Sequence, residues 1–354
     1  MRRWGGAQPR QPAHRHHGLV HHGRAGAQPV RAGRDQEVTP DRGADPAVSA
    51  LAIDIGGTKT AFARVSATGD ILDSFRVATP TATTPRDLAL ERLREHVRRT
   101  LRWSSRFELC VVVRPGLLAG EDVVELSPNT PAWQDTALAG LLRQELGDLS
   151  IRFENDVRAA AHAEVTTGQL RGVDPGLYVN LGTGVAAALV VHGRILVGAH
   201  RAAGEIGYMR PDPLSGSTAP EGFPAPLEEL LGGQALGRRA SRLLGRQLGA
   251  RELFEATDPL ARAVVGQSAL LLATMLGNLC TLVDPELIVF GGGLAGSFQH
   301  WAPIVRAHLV AGFPCVPELR VSRHLTDGSL VGAATLCRAE LAGGRQEPCV
   351  VKEG

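Results

Sequence analysis

Residues 54–59 read DIGGTK, residues 154–156 END and residues 181–184 LGTG, three short stretches whose residue types suit the handling of phosphate. A glycine turn after a strand exposes backbone N–H groups, and several aimed inward cradle phosphate oxygens with no side chain in the way. In DIGGTK the cradle is Gly56 and Gly57, with the Thr58 hydroxyl and the Lys59 ammonium as further donors. Asp54 faces the same place, and a carboxylate beside phosphates makes sense if it holds hydrated Mg2+. LGTG supplies a second cradle through Gly182, Thr183 and Gly184. Neither stretch matches G-x-x-x-x-G-K-[ST], so this is not a P-loop. In END, Asp156 could accept a proton from an attacking hydroxyl while Asn155 orients the acceptor, which supplies the base that phosphoryl transfer needs. Either residue could equally be a plain helix cap. Glu205, in AGEIGYM (203–209), reads by itself as a solvated glutamate. Gly291, Gly292 and Gly293 read as a turn, or as a place that admits the flat face of a nucleotide.

These groups need elements to hold them. Alternating and apolar runs predict strands at 50–55, 60–66 and 71–77, with a turn at Thr68-Gly69-Asp70. Thr84-Pro85 opens a helix with Leu90, Leu93, Val97 and Leu101 at helical spacing. LCVVV (109–113) is a short buried strand closed by Pro115-Gly116, a second helix falls near 135–147, and strand 151–153 leads into a small-residue helix at 157–165. LYVNLGTGVAAALVVHGRIL (177–196) then repeats the order of LAIDIGGTKTAFARVSATGDIL (51–72): apolar strand with a polar fourth residue, glycine turn, apolar strand, glycine, Ile-Leu. At a separation of about 125 residues this predicts a duplicated domain, not a solenoid. Two such units could grip one ligand from both sides of a cleft. A proline-rich loop (211–226), a long helix (256–283), the strand LIVFGGG (287–293) and a last helix (329–342) complete the chain.

Composition narrows the partners. The 354 residues, 44% hydrophobic and 21% charged, suffice for one large α/β domain or two sharing a cleft. A net charge of +2 gives no reason to expect nucleic acid. No apolar run reaches the roughly 18 residues of a membrane span. Lys59 and Lys352 are the only lysines among 38 basic residues, a bias like that of GC-rich codon usage, so a lysine beside a glycine turn is informative. The five cysteines, Cys110, Cys280, Cys315, Cys337 and Cys349, never form a CxxC pair, which favours reduced, cytoplasmic thiols and argues against a cysteine zinc site. Residues 1–47, rich in Arg, His, Gly and Pro without periodicity, read as a disordered or mis-annotated extension. They hold no apolar signal core and no helix-turn-helix reader.

Taken together and in order, DIGGTK, PG (115–116), SPNTPAW (127–133), END, LGTG, AGEIGYM, LEELLGGQAL (227–236) and LGNLCTLVDPELIVFGGG (276–293) resemble the ROK family of sugar kinases and sugar-sensing repressors. The resemblance covers about residues 49–340. It implies the duplicated ribonuclease H-like, actin-type ATPase fold, an α/β architecture of two domains around a cleft. The implied small domain is 48–153 completed by helix 329–342, the large one 154–328, with a tail at 343–354. It further implies an ATP-dependent kinase acting on the 6-hydroxyl of glucose or an amino hexose, using ATP and Mg2+, with Asp156 as base. By the same resemblance Gly116, Thr136, Asn155, Glu205 and Glu228 contact the sugar, Gly56, Gly57, Thr58 and Lys59 with Gly182, Thr183 and Gly184 the phosphates, and Gly291 to Gly293 the adenosine. A homo-oligomer, such as a dimer, and no nucleic-acid or membrane partner are expected. Two departures stand out. Tyr208 replaces the histidine that usually follows AGEIG, and TAPEGFPAP (218–226) stands where the family carries a zinc-binding cysteine cluster, so no structural zinc is expected. Tyr208 could donate one hydrogen bond in place of the imidazole, and Arg114 before the Pro-Gly turn adds a further difference. Specialised amino-sugar kinases, such as one for kanosamine or an N-acetylhexosamine, and non-catalytic sugar sensors are the alternatives within this resemblance.

Overall fold

A computed structural model describes residues 49–81, 83–104, 106–119, 123–126, 138–211 and 225–343. The extension 1–47, the 127–133 motif, Thr136, most of the proline-rich loop and the tail beyond Gly343 lie outside the described residues. The first repeat becomes a meander of β1 (Ser49–Ile55), β2 (Lys59–Ser66) and β3 (Ile71–Ala78), each antiparallel to the next. β4 (Leu109–Arg114) runs parallel to β1 and is followed by a small ribbon, β5 (Leu117–Ala119) and β6 (Val123–Leu126). β7 (Ser150–Asn155) then runs parallel to β4, giving the order β3-β2-β1-β4-β7.

The second repeat builds the same thing again. β8 (Gly176–Leu181), β9 (Val185–Val191) and β10 (Arg194–Ile195) form the antiparallel meander, while β11 (Leu287–Gly291) and β12 (Glu318–Val321) add parallel strands in the order β10-β9-β8-β11-β12. Strand for strand the two sheets match in order and direction, as duplication requires. β1 and β4 are apolar almost throughout because central parallel strands are covered on both faces.

The two-residue period of β1 assigns its neighbours. Leu51, Ile53 and Ile55 point outward and pack with Leu93 and Val97 of α1 (Arg86–Thr100) and Leu138 and Leu142 of α2 (Leu138–Leu146). Ala50 and Ala52 point inward onto Leu330 and Ala333 of α9 (Gly328–Leu341). In the second sheet Leu177, Val179 and Leu181 face outward, where α5 (Gly233–Leu244), α6 (Ala250–Glu255), α7 (Pro259–Val283) and α8 (Ala302–Gly312) cover them. Tyr178 faces inward onto Val157 and Ala160 of α3 (Asp156–Thr167). α3 and α9 pack against each other between the sheets, and small residues let them approach. A Cβ on Gly332 would run into the backbone carbonyl of Ala159. Each fully buried Leu or Val in these layers contributes roughly 1.5–3 kcal/mol.

Boundaries moved where a cap decides them. The helix expected from 256 begins at Pro259, because the Asp258 carboxylate accepts the Leu260 N–H at 2.7 Å and proline suits the first turn. The strand expected to run to Gly293 stops at Gly291. α7 is by length and composition apolar enough to cross a membrane, yet half of that stretch is buried, with Leu272, Leu276 and Cys280 in the core over the second sheet.

Candidate active site

Ligands of parallel α/β sheets bind beyond the carboxyl ends of the strands, and here the chemistry-bearing stretches gather at those ends in both sheets. By parity Asp54 of β1 and Asn180 of β8 belong to the inner faces, with Ala50 and Ala52 in one sheet and with Tyr178 in the other. They occupy equivalent registers: Asp54 pairs Ala61 and Val113, while Asn180 pairs Ala186 and Gly291.

The first glycine turn is closed by the Gly56 N–H donating to the Lys59 carbonyl at 3.0 Å. Thr79, just beyond β3, braces it: its hydroxyl donates to the Gly56 carbonyl at 2.7 Å and its N–H to the Thr58 carbonyl at 3.0 Å. Gly57, Thr58 and Lys59 stay exposed. Asp54, half-buried behind the turn, accepts a hydrogen bond from the Ser329 hydroxyl in the first turn of α9. Burial pushes its carboxyl up to about 7; the Ser329 hydroxyl opposes the shift and the nearby Asp156 carboxylate adds to it.

In END, the cap that either residue could supply falls to Asn155. Asn155 is the N-cap of α3, its side-chain oxygen accepting from Val157 N–H at 2.9 Å and Arg158 N–H at 3.1 Å. Its amide nitrogen reaches the Gly116 carbonyl at 3.5 Å. Asp156, relieved of capping, lies half-buried in the first turn with one oxygen on the Val157 N–H at 2.9 Å. Burial raises its carboxyl above the usual range, the adjacent N–H groups and Arg158 opposing. Glu154 is buried and ion-paired with Arg158 at 2.7 Å, and Arg158 also donates to the Arg201 carbonyl at 3.0 Å, tying α3 to the loop that carries Glu205.

Two cavities adjoin here. The first, about 150 Å³, is lined by Gly116, Asn155, Asp156, Glu205, Tyr208 and Glu228 among others. The second, about 390 Å³, takes in Asp54, Thr58, Lys59, Gly182, Gly292 and Gly293. Gly56 also lines the second, and Asp156, Asn180 and Thr183 line both. Asp156 therefore stands where the two meet. Gly57 and Gly184, expected at the phosphates, border the first cavity, and Gly291 lines neither. Thr136 is outside the described residues. Arg114 lies beneath the Pro-Gly turn with its guanidinium over the Phe153 ring at 5.0 Å, lining neither cavity. Burial, then Asp156, pushes the Glu205 carboxyl up to about 7, and burial with Glu205 and Glu228 raises the Tyr208 phenol.

Sequence reasoning missed Ser329, Thr79 and Arg158. Ser329 had a signal, a hydroxyl opening the last helix after Asp327-Gly328; the other two depend on contacts between segments distant in sequence.

The arrangement can place a hydroxyl-bearing ligand in one cavity, a polyphosphate between two glycine turns in the other, and a carboxylate at their junction. Two sheets of one strand order, each presenting a glycine hairpin to a shared cleft, define the actin-type ATPase fold. The chain belongs to the ROK family, whose sequence profile matches residues 50–340. It is 30% identical over 305 residues to the N-acetyl-D-glucosamine kinase of Shigella boydii, covering 80% of this chain and 97% of that one. The structure is similar to the ROK hexokinase of Thermus thermophilus at a TM-score of 0.67 and 31% identity, over 84% of this chain and 100% of that one. It is similar too to a ROK glucokinase from Streptomyces griseus in complex with glucose and AMPPNP, at a TM-score of 0.65 and 26% identity, over 82% and 99%.

Proposed function

We propose that the protein is an ATP-dependent kinase that phosphorylates the 6-hydroxyl of a hexose or amino hexose, with Asp156 as general base. The observation that carries this reading is the position of Asp156 in the wall of both cavities. Asp156 takes the proton of the 6-hydroxyl, O6 attacks the γ-phosphorus in line, and the bond to the β-phosphate oxygen breaks to release ADP. A carboxyl held above its usual range by burial is a stronger base once ionised, which suits this task.

The acceptor side is Glu205, Glu228, Asn155 and the Gly116 turn, with Tyr208 offering a phenolic donor at the wall. The donor side is the backbone of the two glycine turns, with Thr58 and the Lys59 ammonium. Asp54 is a hard oxygen ligand whose carboxyl is raised by burial first and then by the Asp156 carboxylate, and a cation beside it would favour its charged form, which fits Mg2+ arriving with the nucleotide. Such an ion would neutralise charge on the phosphates when bound. Closure of the half built on residues 48–153 and helix 329–342 against the half built on 154–328 would exclude water as a competing acceptor.

A coupled ADP-release assay with ATP-Mg2+ and glucose, mannose, glucosamine, kanosamine, N-acetylglucosamine or N-acetylmannosamine tests the reading. One sugar turned over well above the sugar-free rate is expected. ADP release with none of them, alongside sugar binding by calorimetry, would replace the kinase with a sugar sensor.

A further inference from the structure

The segment Leu227–Gln234, which includes the short helix α4 (Glu228–Leu231), grips two loops at once. The Leu227 N–H donates to the Gly207 carbonyl at 3.0 Å, in the loop that carries Glu205 and Tyr208. At its other end the Gly233 N–H donates to the Gly182 carbonyl at 2.9 Å and the Gln234 N–H to the Thr183 carbonyl at 3.4 Å, holding the second glycine turn from behind. Glu228 stands between these clasps. Its carboxylate lines the first cavity, and one of its oxygens accepts the N–H of Val185, the residue that ends that turn, at 3.0 Å. A Cβ at Gly184 would fall on this carboxylate. A side chain at position 184 would therefore push this carboxylate off the turn.

We propose that Glu228 couples the two cavities: a sugar hydroxyl that donates to its carboxylate resets the hold on Val185, and with it the turn that faces the nucleotide phosphates. This rests on the kinase reading, with sugar in the first cavity and nucleotide in the second. Charge-assisted hydrogen bonds are directional, so one carboxylate shared by a hydroxyl and a backbone N–H links the positions of both. Coupling of this kind is reciprocal, so sugar tightens nucleotide binding by the factor by which nucleotide tightens sugar. Glu228 acts on the nucleotide through the turn and is a positioning residue for it.

The test is calorimetry of AMPPNP-Mg2+ binding with and without a saturating hexose, using whichever of glucose, mannose, glucosamine, kanosamine, N-acetylglucosamine and N-acetylmannosamine the protein turns over best. In the unsubstituted protein the sugar tightens AMPPNP about tenfold, within the range usual for coupled sites. In Glu228→Ala the ratio falls to near one. Gly184→Ala, which displaces the carboxylate from the turn and leaves Glu228 in place, lowers the ratio likewise and decides the matter if Glu228→Ala does not fold. A protein that turns over none of these sugars overturns the kinase reading and the coupling with it. Turnover with an unsubstituted ratio near one, or a tenfold ratio kept in the variants, overturns the coupling alone.

Discussion

Replacing Glu205 by glutamine should make the protein more stable and less active, and the gain in stability should grow as pH rises from 4.5 to about 7. The Glu205 carboxyl rises from 4.5 to about 7 on folding, through burial first and then the Asp156 carboxylate. Between these values the folded state binds the proton that the unfolded state has lost, so stability falls as pH rises through that window. Above it the whole penalty is present, roughly 3 kcal/mol at 1.36 kcal/mol per tenfold in proton affinity. Glu205→Gln keeps the shape and removes the charge, so it stabilises by about that amount at pH 8 and by under about 1 kcal/mol at pH 5. For a folded body spanning 50–340, an unfolding entropy of about 2.1 cal/mol/K per residue turns this into roughly 5 °C in Tm at pH 8 and under about 2 °C at pH 5. Scanning calorimetry at both pH values reads it, with sugar turnover measured alongside. Equal changes in Tm at the two pH values, or a lower Tm at pH 8, would refute the assignment of a strained carboxylate.

Three other substitutions test separate parts of the structure. Asp156→Asn should lower kcat by about 10²- to 10⁴-fold while sugar affinity by calorimetry stays within a few-fold, because the amide keeps the shape and cannot take a proton; full turnover would remove Asp156 from its role. Arg158→Met leaves the buried Glu154 carboxylate with Arg152 at 3.6 Å in place of its 2.7 Å partner and should cost about 3 kcal/mol in urea unfolding, the low end for a broken buried pair, with part of it recovered in the double variant with Glu154→Leu. A single variant as stable as the parent would show that the pair matters little. Gly332→Ala should destabilise by about 1–3 kcal/mol through its clash with Ala159, although helix propensity by itself favours alanine by about 1 kcal/mol; a net gain would mean the two central helices separate freely.

Much of this site is legible in the chain because its parts are local. DIGGTK and LGTG announce their turns by glycine and their strands by flanking apolar runs, and the repeated order of 51–72 and 177–196 is enough to expect two matching sheets. What stays hidden is what tertiary contact decides. Nothing in the spacing says that Asn155, rather than Asp156, caps α3, or that Arg158 turns inward to Glu154 and the Arg201 carbonyl instead of outward like most arginines of an amphipathic helix. α5 and α6 drew no expectation, because arginines interrupt their apolar positions and only the core over the second sheet shows which face is buried. Gly184 reads in the sequence as a phosphate glycine and in the structure as the floor beneath Glu228.

The two sheets share one strand order, and Asp54 and Asn180, at equivalent positions in them, both line the second cavity. Two identical chains meeting about a two-fold axis would have to present the same side chain from both directions, since an isologous contact is self-complementary. Two carboxylates would then repel across the cleft, while a nucleotide, whose base and terminal phosphate differ, would find two identical ends. Joining the halves in one polypeptide lifts that constraint. One copy keeps the acid, the other carries a neutral amide at the mate position, and a nearly symmetric scaffold acquires a direction along which a group can pass.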